Sequence, residues 1–412
     1  MPSESEARKR TRWDIVFIAF GAGIMAAGHI GKLPAALPAI RTELALDLVA
    51  AGWIVSIFNA VTILLGMLVG VFADRLGHRR VILLSLLMMA GGSVWGAMTH
   101  SELELLLARF TEGVGFVGVV VSAPSIIANA AQPADRRFAL GVWGAFMGTG
   151  IAAILLIAPA ILGPYGWRAL WFVMAGATVL WDLVTWLTLR RYDPRGRMTP
   201  PAAETQPKPD GGWREDFRLT LTRPGLWVLA LAFSFYTLQW MALMVWLPTF
   251  LVEQRGASVS LAAYLTVVVV LVNVGGNLLG GWLLQRGLSR WHLIAFVGLL
   301  SIACGLGIFT SVLPDWLRYL LCILFSGLAG MLPASAMSGA PAFTPTPRQI
   351  GAANGLLVQG SNLGQLLGPP VVAMAVALTG GWHAGSWVFL VCGTAIVALA
   401  LVLLRLENKR PA

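Results

Sequence analysis

Gly70-Val71-Phe72-Ala73-Asp74-Arg75-Leu76-Gly77-His78-Arg79-Arg80 is a charged, glycine-bounded hinge set between two long apolar runs, near residues 50–72 and 81–99. Each run has the roughly 20 apolar residues that a helix needs to cross a bilayer. The hinge itself carries four charges in seven residues, Asp74 to Arg80, and belongs in water. Working outward from it, further apolar runs fall near 14–37, 103–129, 138–163 and 168–189, and then near 225–250, 260–284, 292–312, 316–338, 351–378 and 386–406. Six runs thus precede a polar break at 190–223 and six follow it. The break holds five prolines and eight basic residues and reads as a solvated linker. The predicted fold is an all-α integral membrane protein of twelve transmembrane spans, with an N-tail at 1–12, bundles at 13–189 and 224–406, and a C-tail at 407–412.

Composition agrees with lipid as the main solvent. The 412 residues are 57% hydrophobic and 12% charged, with mean hydropathy +0.77, more apolar surface than one water-soluble core could hide. The net charge of +10 would suit nucleic acid, but its placement argues for orientation instead. With the N-terminus inside, 23 of the 29 Lys and Arg residues fall in the tails, the linker and the loops on the cytoplasmic side. The positive-inside rule then puts both termini in the cytoplasm. Arg41, Arg168, Arg255 and Arg318 fall on the opposite side, while Lys32 and Arg109 lie within spans. Cys304, Cys322 and Cys392 sit inside apolar runs with no pairing framework. The first run follows Arg8, Lys9, Arg10 and Arg12 as a signal peptide would, yet it lacks a small-residue cleavage site and is read as span 1.

The two halves read as copies. Gly166-Trp167-Arg168-Ala169-Leu170-Trp171-Phe172 opens span 6, and Gly381-Trp382-His383-Ala384-Gly385-Ser386-Trp387-Val388-Phe389 opens span 12. Gly141 and Gly150 in span 5 are nine residues apart, as are Gly355 and Gly364 in span 11. A duplicated six-span unit is the sequence mark of a secondary transporter with its site at the repeat interface.

The hinge resembles the signature loop of the major facilitator superfamily, Gly-x-x-x-Asp-Arg-x-Gly-x-Arg-Arg, and matches it at every fixed position. The 6+6 layout and long central linker extend the resemblance over the chain. A second copy, Gly281-Trp282-Leu283-Leu284-Gln285-Arg286-Gly287, is one residue shorter and has Gln285 where the first has an acid. The resemblance implies alternating access, two bundles rocking around a midplane site. It makes Gly70, Asp74, Arg75, Gly77, Arg79 and Arg80 a gating loop. Asp74 would dock on the positive N-terminal end of the span 11 helix when the cytoplasmic gate shuts. Gly70 would permit close helix approach and Gly77 a tight turn. The alternative for Arg75, Arg79 and Arg80 is contact with anionic headgroups.

By the same resemblance spans 1, 4, 7 and 10 line the solute path. Charge within a span is costly, so Lys32, Arg109, Glu112 and Asp182 are informative. Arg109-Phe110-Thr111-Glu112-Gly113 resembles the family's Arg-x-x-Gln-Gly in span 4, with an acid in place of the amide. Glu112 shares a helical face with Arg109. The pair either neutralises itself, or Glu112 exchanges a proton while Arg109 holds an anion. Lys32 either joins that site or snorkels to the headgroups. His29, one turn earlier, reads as packed or hydrogen-bonded rather than as a relay. Asp182, on a peripheral span, reads as a satisfied acid or as a second proton-coupling group. In span 7, Tyr236, Gln239 and Trp240 form a polar and aromatic face, with Gln239 the better ligand and Trp240 divided between solute and core. Asn273, Asn277, Asn354, Gln359, Asn362 and Gln365 read as interhelical glue.

Two transport readings follow. The first is proton-coupled movement of a small anionic or carboxylated solute across a bacterial cytoplasmic membrane, by a monomer. The second is proton-driven export of a drug, siderophore or other amphipathic compound. Gly144-Ala145-Phe146-Met147-Gly148-Thr149 lacks the Gly-x-x-x-Gly-Pro of drug exporters, which weighs against the second. Gly364-Gln365-Leu366-Leu367-Gly368-Pro369 has that pattern in span 11 and predicts a bend or close packing there. Trp246-Leu247-Pro248-Thr249-Phe250 and the Gly-Trp starts resemble the cyanate-permease-like and organic-anion branches. A membrane enzyme would need a catalytic cluster, and no His-Glu-x-x-His, Gly-x-Ser-x-Gly, metal-ligand or cofactor pattern occurs. A non-transporting sensor on the same fold is the remaining class.

Overall fold

The computed structural model describes residues 11–190, 221–310, 312–344 and 350–408; the side chains of Met67, Val71, Asp74, Arg137, Ile350 and Gly351 are outside that description. Most of the N-tail, most of the 190–223 linker and the end of the C-tail therefore lie outside the described residues. The rest forms thirteen helices: α1 (Trp13–Glu43), α2 (Leu48–Leu76), α3 (His78–Ala97), α4 (Glu102–Ala130), α5 (Arg136–Gly144), α6 (Phe146–Arg190), α7 (Pro224–Arg255), α8 (Val259–Gln285), α9 (Arg290–Phe309), α10 (Asp315–Ala329), α11 (Met331–Phe343), α12 (Ile350–Thr379) and α13 (Ala384–Asn408).

Eleven stretches of helix are long and apolar enough to cross a membrane. One of them, Phe138–Arg190, has 53 residues, about 80 Å if straight and more than twice a hydrocarbon core of about 30 Å. It is broken at Gly166, whose φ of 75° and ψ of 176° lie outside helical space. Counting its two limbs separately gives twelve spanning segments. Span 5 is then α5 with the first limb of α6, span 6 is the second limb, and span 10 is α10 with α11.

The local signals act as their chemistry requires. Gly77 has φ 90° and starts α3, and Gly287, in the second copy of the loop, has φ 89°. Both turns use backbone that a side chain would strain. Ser101 caps α4 by accepting from Glu104 N at 3.3 Å, while Glu104 Oε2 accepts from His100 N at 2.9 Å, so both side chains satisfy N–H groups at the helix start. At Gly70 a Cβ would meet, among the described residues, only Val121 Cγ1, at 4.0 Å.

Close approach occurs elsewhere. The chain divides into two compact units, one of Met1–Leu46, Ala60–Thr205 and Val259–Tyr264, the other of Asp47–Asn59, Gln206–Ser258 and Leu265–Ala412. In the second, Gly360, Gly364 and Gly368 form a stripe along α12. Cβ atoms there would lie 2.4, 2.0 and 2.3 Å from the carbonyl oxygens of Ala230, Ser234 and Leu238 on α7. The predicted close packing is thus present, and it is backbone against backbone. In the first unit Gly150 meets α1 the same way, 2.5 Å from Ile24 O. Gly141 and Gly355, each nine residues before a pressed glycine, have nothing within 4 Å.

Gly364→Val should lower the thermal midpoint of the purified protein, by about 1–3 kcal/mol or more of overpacking. Gly355→Ala, on the same helix, should leave the midpoint unchanged or raised, since Ala is the better helix former. Equal losses at both positions would remove the backbone-contact account.

Candidate functional site

The first unit holds a cluster of charge that no solvent reaches. Lys32 and His29 on α1, Glu112 on α4, and Ser93 on α3 are all 0% exposed, and Arg109 on α4 is 1% exposed. The Glu112 carboxylate is shared. Its Oε2 accepts directly from Arg109 Nη1, one turn back on α4, and its Oε1 accepts from Lys32 Nζ at 2.5 Å. Lys32 Nζ also donates to Ser93 Oγ at 2.6 Å and approaches His29 Nδ1 at 3.2 Å. Its three N–H bonds are thereby all engaged. It lies 4.5 Å from the centroid of the Trp171 ring, close enough for a cation–π contact. Arg109 Nη1 further donates to His29 O at 2.8 Å, tying α4 to the α1 backbone.

Small residues make room for this. At Gly92 a Cβ would lie 2.8 Å from Glu112 Cγ, and at Gly96 it would lie 2.8 Å from Trp171 Nε1. Their absence of side chains lets α3 reach α4 and α6, so that Ser93 bridges Lys32 to Trp171 O at 2.8 Å.

The hydrogen-bond network fixes the His29 tautomer. Thr178 Oγ1 donates its one hydrogen to Met174 O at 2.7 Å, so it accepts from His29 Nε2–H at 2.9 Å. In a neutral ring Nδ1 is then an acceptor and takes a proton bond from Lys32. Its 3.1 Å separation from Glu112 Oε1 becomes a hydrogen bond only when Nδ1 is itself protonated. Lys32, His29 and Glu112 therefore form a triangle in which one added or removed proton changes which contacts are bonds.

Charge counting gives the cluster its character. Two basic side chains, Lys32 and Arg109, share the one carboxylate of Glu112 in a fully buried place. Two orphan groups lie on the same limb of α6. Trp171 Nε1 is a buried donor with no acceptor among the described residues, and Asp182 Oδ1, in a residue 9% exposed, has no hydrogen-bond partner among them. The expectation of a satisfied Asp182 is thus not met.

In the second unit the span 7 candidates separate. Tyr236, 2% exposed, accepts at its hydroxyl from Asn273 Nδ2 at 2.8 Å, and the same amide donates to Ser326 O at 2.7 Å. Asn273 is interhelical glue, as expected, joining α8 to α7 and α10. Trp240 Nε1 donates to Ser326 Oγ at 3.1 Å. Gln239 stands apart: fully buried, it donates to Phe235 O at 3.2 Å while its Oε1 has no donor among the described residues. In the hinge, Arg75 and Arg80 are exposed, Arg79 is half-buried, and Asp74 lies in the last turn of α2 with its side chain outside the description. Ser93, Trp171 and Thr178 were not foreseen. Nothing in one apolar run distinguishes a serine or threonine that meets a lysine or histidine from one that bonds its own helix.

A family model for the Major Facilitator Superfamily matches residues 15–345. The chain belongs to the Major Facilitator Superfamily. Among relatives of this superfamily member, a probable sulfoacetate transporter of Cupriavidus necator is 26% identical over 73% of the chain, the match spanning 66% of that relative, just under two thirds of its length. A probable nitrate/nitrite antiporter of Thermus thermophilus is 28% identical over 83% of the chain and 80% of its own length. A D-galactonate transporter of Escherichia coli is 23% identical, with 90% of each covered. A bacterial homologue of the human lysosomal transporter Spinster, solved in an inward-facing and occupied conformation, has the same fold, with TM-score 0.80 at 18% identity over 97% of both chains.

The charge count predicts an asymmetry within this superfamily member. Glu112→Gln removes the carboxylate that Lys32 and Arg109 share and should cost about 3–5 kcal/mol. Lys32→Met leaves Arg109 and Glu112 as a balanced pair and should cost clearly less. Thermal unfolding of the two variants in one detergent checks this, and equal or reversed losses would refute the charge count.

Proposed function

We propose that the protein carries a small organic anion across the bacterial cytoplasmic membrane, as a proton-coupled monomer working by alternating access. One observation carries this reading: a fully buried cluster has two cations for one carboxylate. Guanidinium and ammonium groups gathered on one carboxylate suit a second acid, and a solute carboxylate or sulfonate supplies one. The relatives that transport sulfoacetate, nitrate and galactonate move solutes of that charge. No comparable observation favours a lipophilic export substrate.

Within this reading Arg109 and Lys32 provide the anion's positive field. Glu112 and His29 hold the coupling proton, the Nδ1 to Oε1 contact closing when it arrives. Asp182, with a buried oxygen that has no hydrogen-bond partner among the described residues, is a second proton site. Gln239, Tyr236 and Trp240 supply neutral contacts, the free Gln239 Oε1 suiting a solute hydroxyl. Asp74 and its loop neighbours Gly70, Arg75, Gly77, Arg79 and Arg80 act as the cytoplasmic gate, with both termini inside. The matching behaviour of Gly141 and Gly150 with Gly355 and Gly364 supports two repeated halves.

The test is flux into liposomes under an imposed pH gradient. Short polar carboxylates and sulfonates should move, with lipophilic cations as the contrasting panel. Lys32→Met, which removes one basic group yet leaves the Arg109–Glu112 pair, should slow anion flux about tenfold or more, as loss of a charged contact of roughly 1.5–3 kcal/mol implies. Movement of lipophilic cations alone, or full anion flux in Lys32→Met, would overturn the assignment.

A further inference from the structure

A second place in the molecule pairs an apolar interior with an excess of positive charge, and it lies wholly within the second unit. A cleft of about 610 Å³, including its open mouth, is enclosed by α7, α9, α10, α12 and α13. Its walls are aromatic and aliphatic, with Trp246, Phe250, Phe309, Trp382 and Phe389 contributing rings. The rings meet edge to face: Trp246 and Trp382 at 61°, Phe250 and Trp382 at 75°, Phe309 and Phe389 at 64°. No two parallel faces form a slot for a planar ring, and the space between tilted rings suits a flexible chain.

The polar groups of the cleft gather at one end. Arg255, at the end of α7, and Asp315 and Arg318, in the first turn of α10, all line it. Asp315 Oδ1 accepts from Arg318 Nη2 at 2.6 Å and lies 3.4 Å from Arg255 Nε, so a single carboxylate serves two guanidinium groups. Asp315 is 62% exposed at its side chain, whereas Arg318 as a residue is 8% exposed and its Nε is buried with no hydrogen-bond partner among the described residues. The start of α10 adds to the positive field, since Pro314 precedes it and no side chain caps it. The phenol of Tyr319 is committed to Leu265 O at 2.9 Å and does not compete.

We propose that this cleft binds an acyl-chain anion, the chain among the tilted aromatic rings and the anionic head on Arg318 and Arg255. A free fatty acid and an anionic phospholipid share that chemistry. Guanidinium suits either head, because its planar fork matches both carboxylate and phosphate. Asp315 is the head's competitor, holding the two arginines while the cleft is empty. This inference stands independently of the transported solute, since it uses no residue of the Lys32 cluster.

The experiment uses the full chain in phosphatidylcholine nanodiscs with a diazirine-bearing palmitate as the probe. Irradiation followed by peptide mass spectrometry should place the adducts in residues 242–255, 308–322 and 372–389, saturably and displaced by unlabelled palmitate. Arg318→Gln should weaken half-saturation about tenfold. Asp315→Asn should tighten it, an outcome that a misfolded variant cannot produce. Exchange of part of the phosphatidylcholine for phosphatidylglycerol separates the two sources: competition by that lipid identifies a phospholipid occupant, and competition by palmitate alone a fatty acid. Equal labelling by the neutral methyl ester of the probe, or adducts spread over the lipid-facing surface and indifferent to both substitutions, would overturn the proposal.

Discussion

Lipid gives helices no hydrophobic reason to leave it for one another, so the cohesion of this protein must come from backbone approach and polar contact. The stripe of Gly360, Gly364 and Gly368 against the carbonyls of α7 is the first kind of cohesion, and Gly150 against α1 is its counterpart in the other unit. Contacts at these distances exclude even a methyl group. They set the spacing of the helices, and spacing decides which polar side chains can meet. Gly92 and Gly96 show the dependence directly, because a Cβ at either would displace Glu112 or Trp171 from the charged cluster.

The cluster is the second kind of cohesion, but cohesion alone explains only part of it. A single salt bridge within α4 would satisfy Arg109 and Glu112. Lys32 is brought against the same carboxylate, with Ser93 and His29 completing its donors. Replacement of buried ion pairs by apolar packing is often neutral or stabilising, so stability alone does not account for two basic groups on one buried acid.

Much of the architecture was legible because it follows from one-dimensional rules. Spanning runs follow from length and apolarity, and the turn at Gly77 from glycine's freedom at positive φ. The charged members of the site were legible too, since Lys32, Arg109 and Glu112 are conspicuous inside apolar runs. What was not legible is how they share bonds. His29 read as packed or hydrogen-bonded, but its partners were not legible, and Ser93 and Thr178 carried no signal, because the groups they meet come from other helices. At Gly70, where a motif glycine suggested close packing, no crowding occurs among the described residues. Distance between helices is a three-dimensional quantity that no single run encodes.

The two units also differ in a way that the shared glycine pattern makes instructive. Both press a glycine onto a carbonyl of their first long helix, nine residues after a glycine that touches nothing. On that common frame the first unit mounts charge, while the polar centre of the second is neutral: Tyr236, Asn273, Ser326 and Trp240 satisfy one another through amide, hydroxyl and indole. The loop motif diverges in the same direction, with Gln285 standing where Asp74 stands in the first copy. Helix spacing tolerates little change because backbone contact sets it, whereas side chains on that spacing can be exchanged at the cost of their own hydrogen bonds alone. Units held by glycine contacts can therefore share one kind of frame while differing in polar content, the first charged, the second neutral and hydrogen-bonded at its centre.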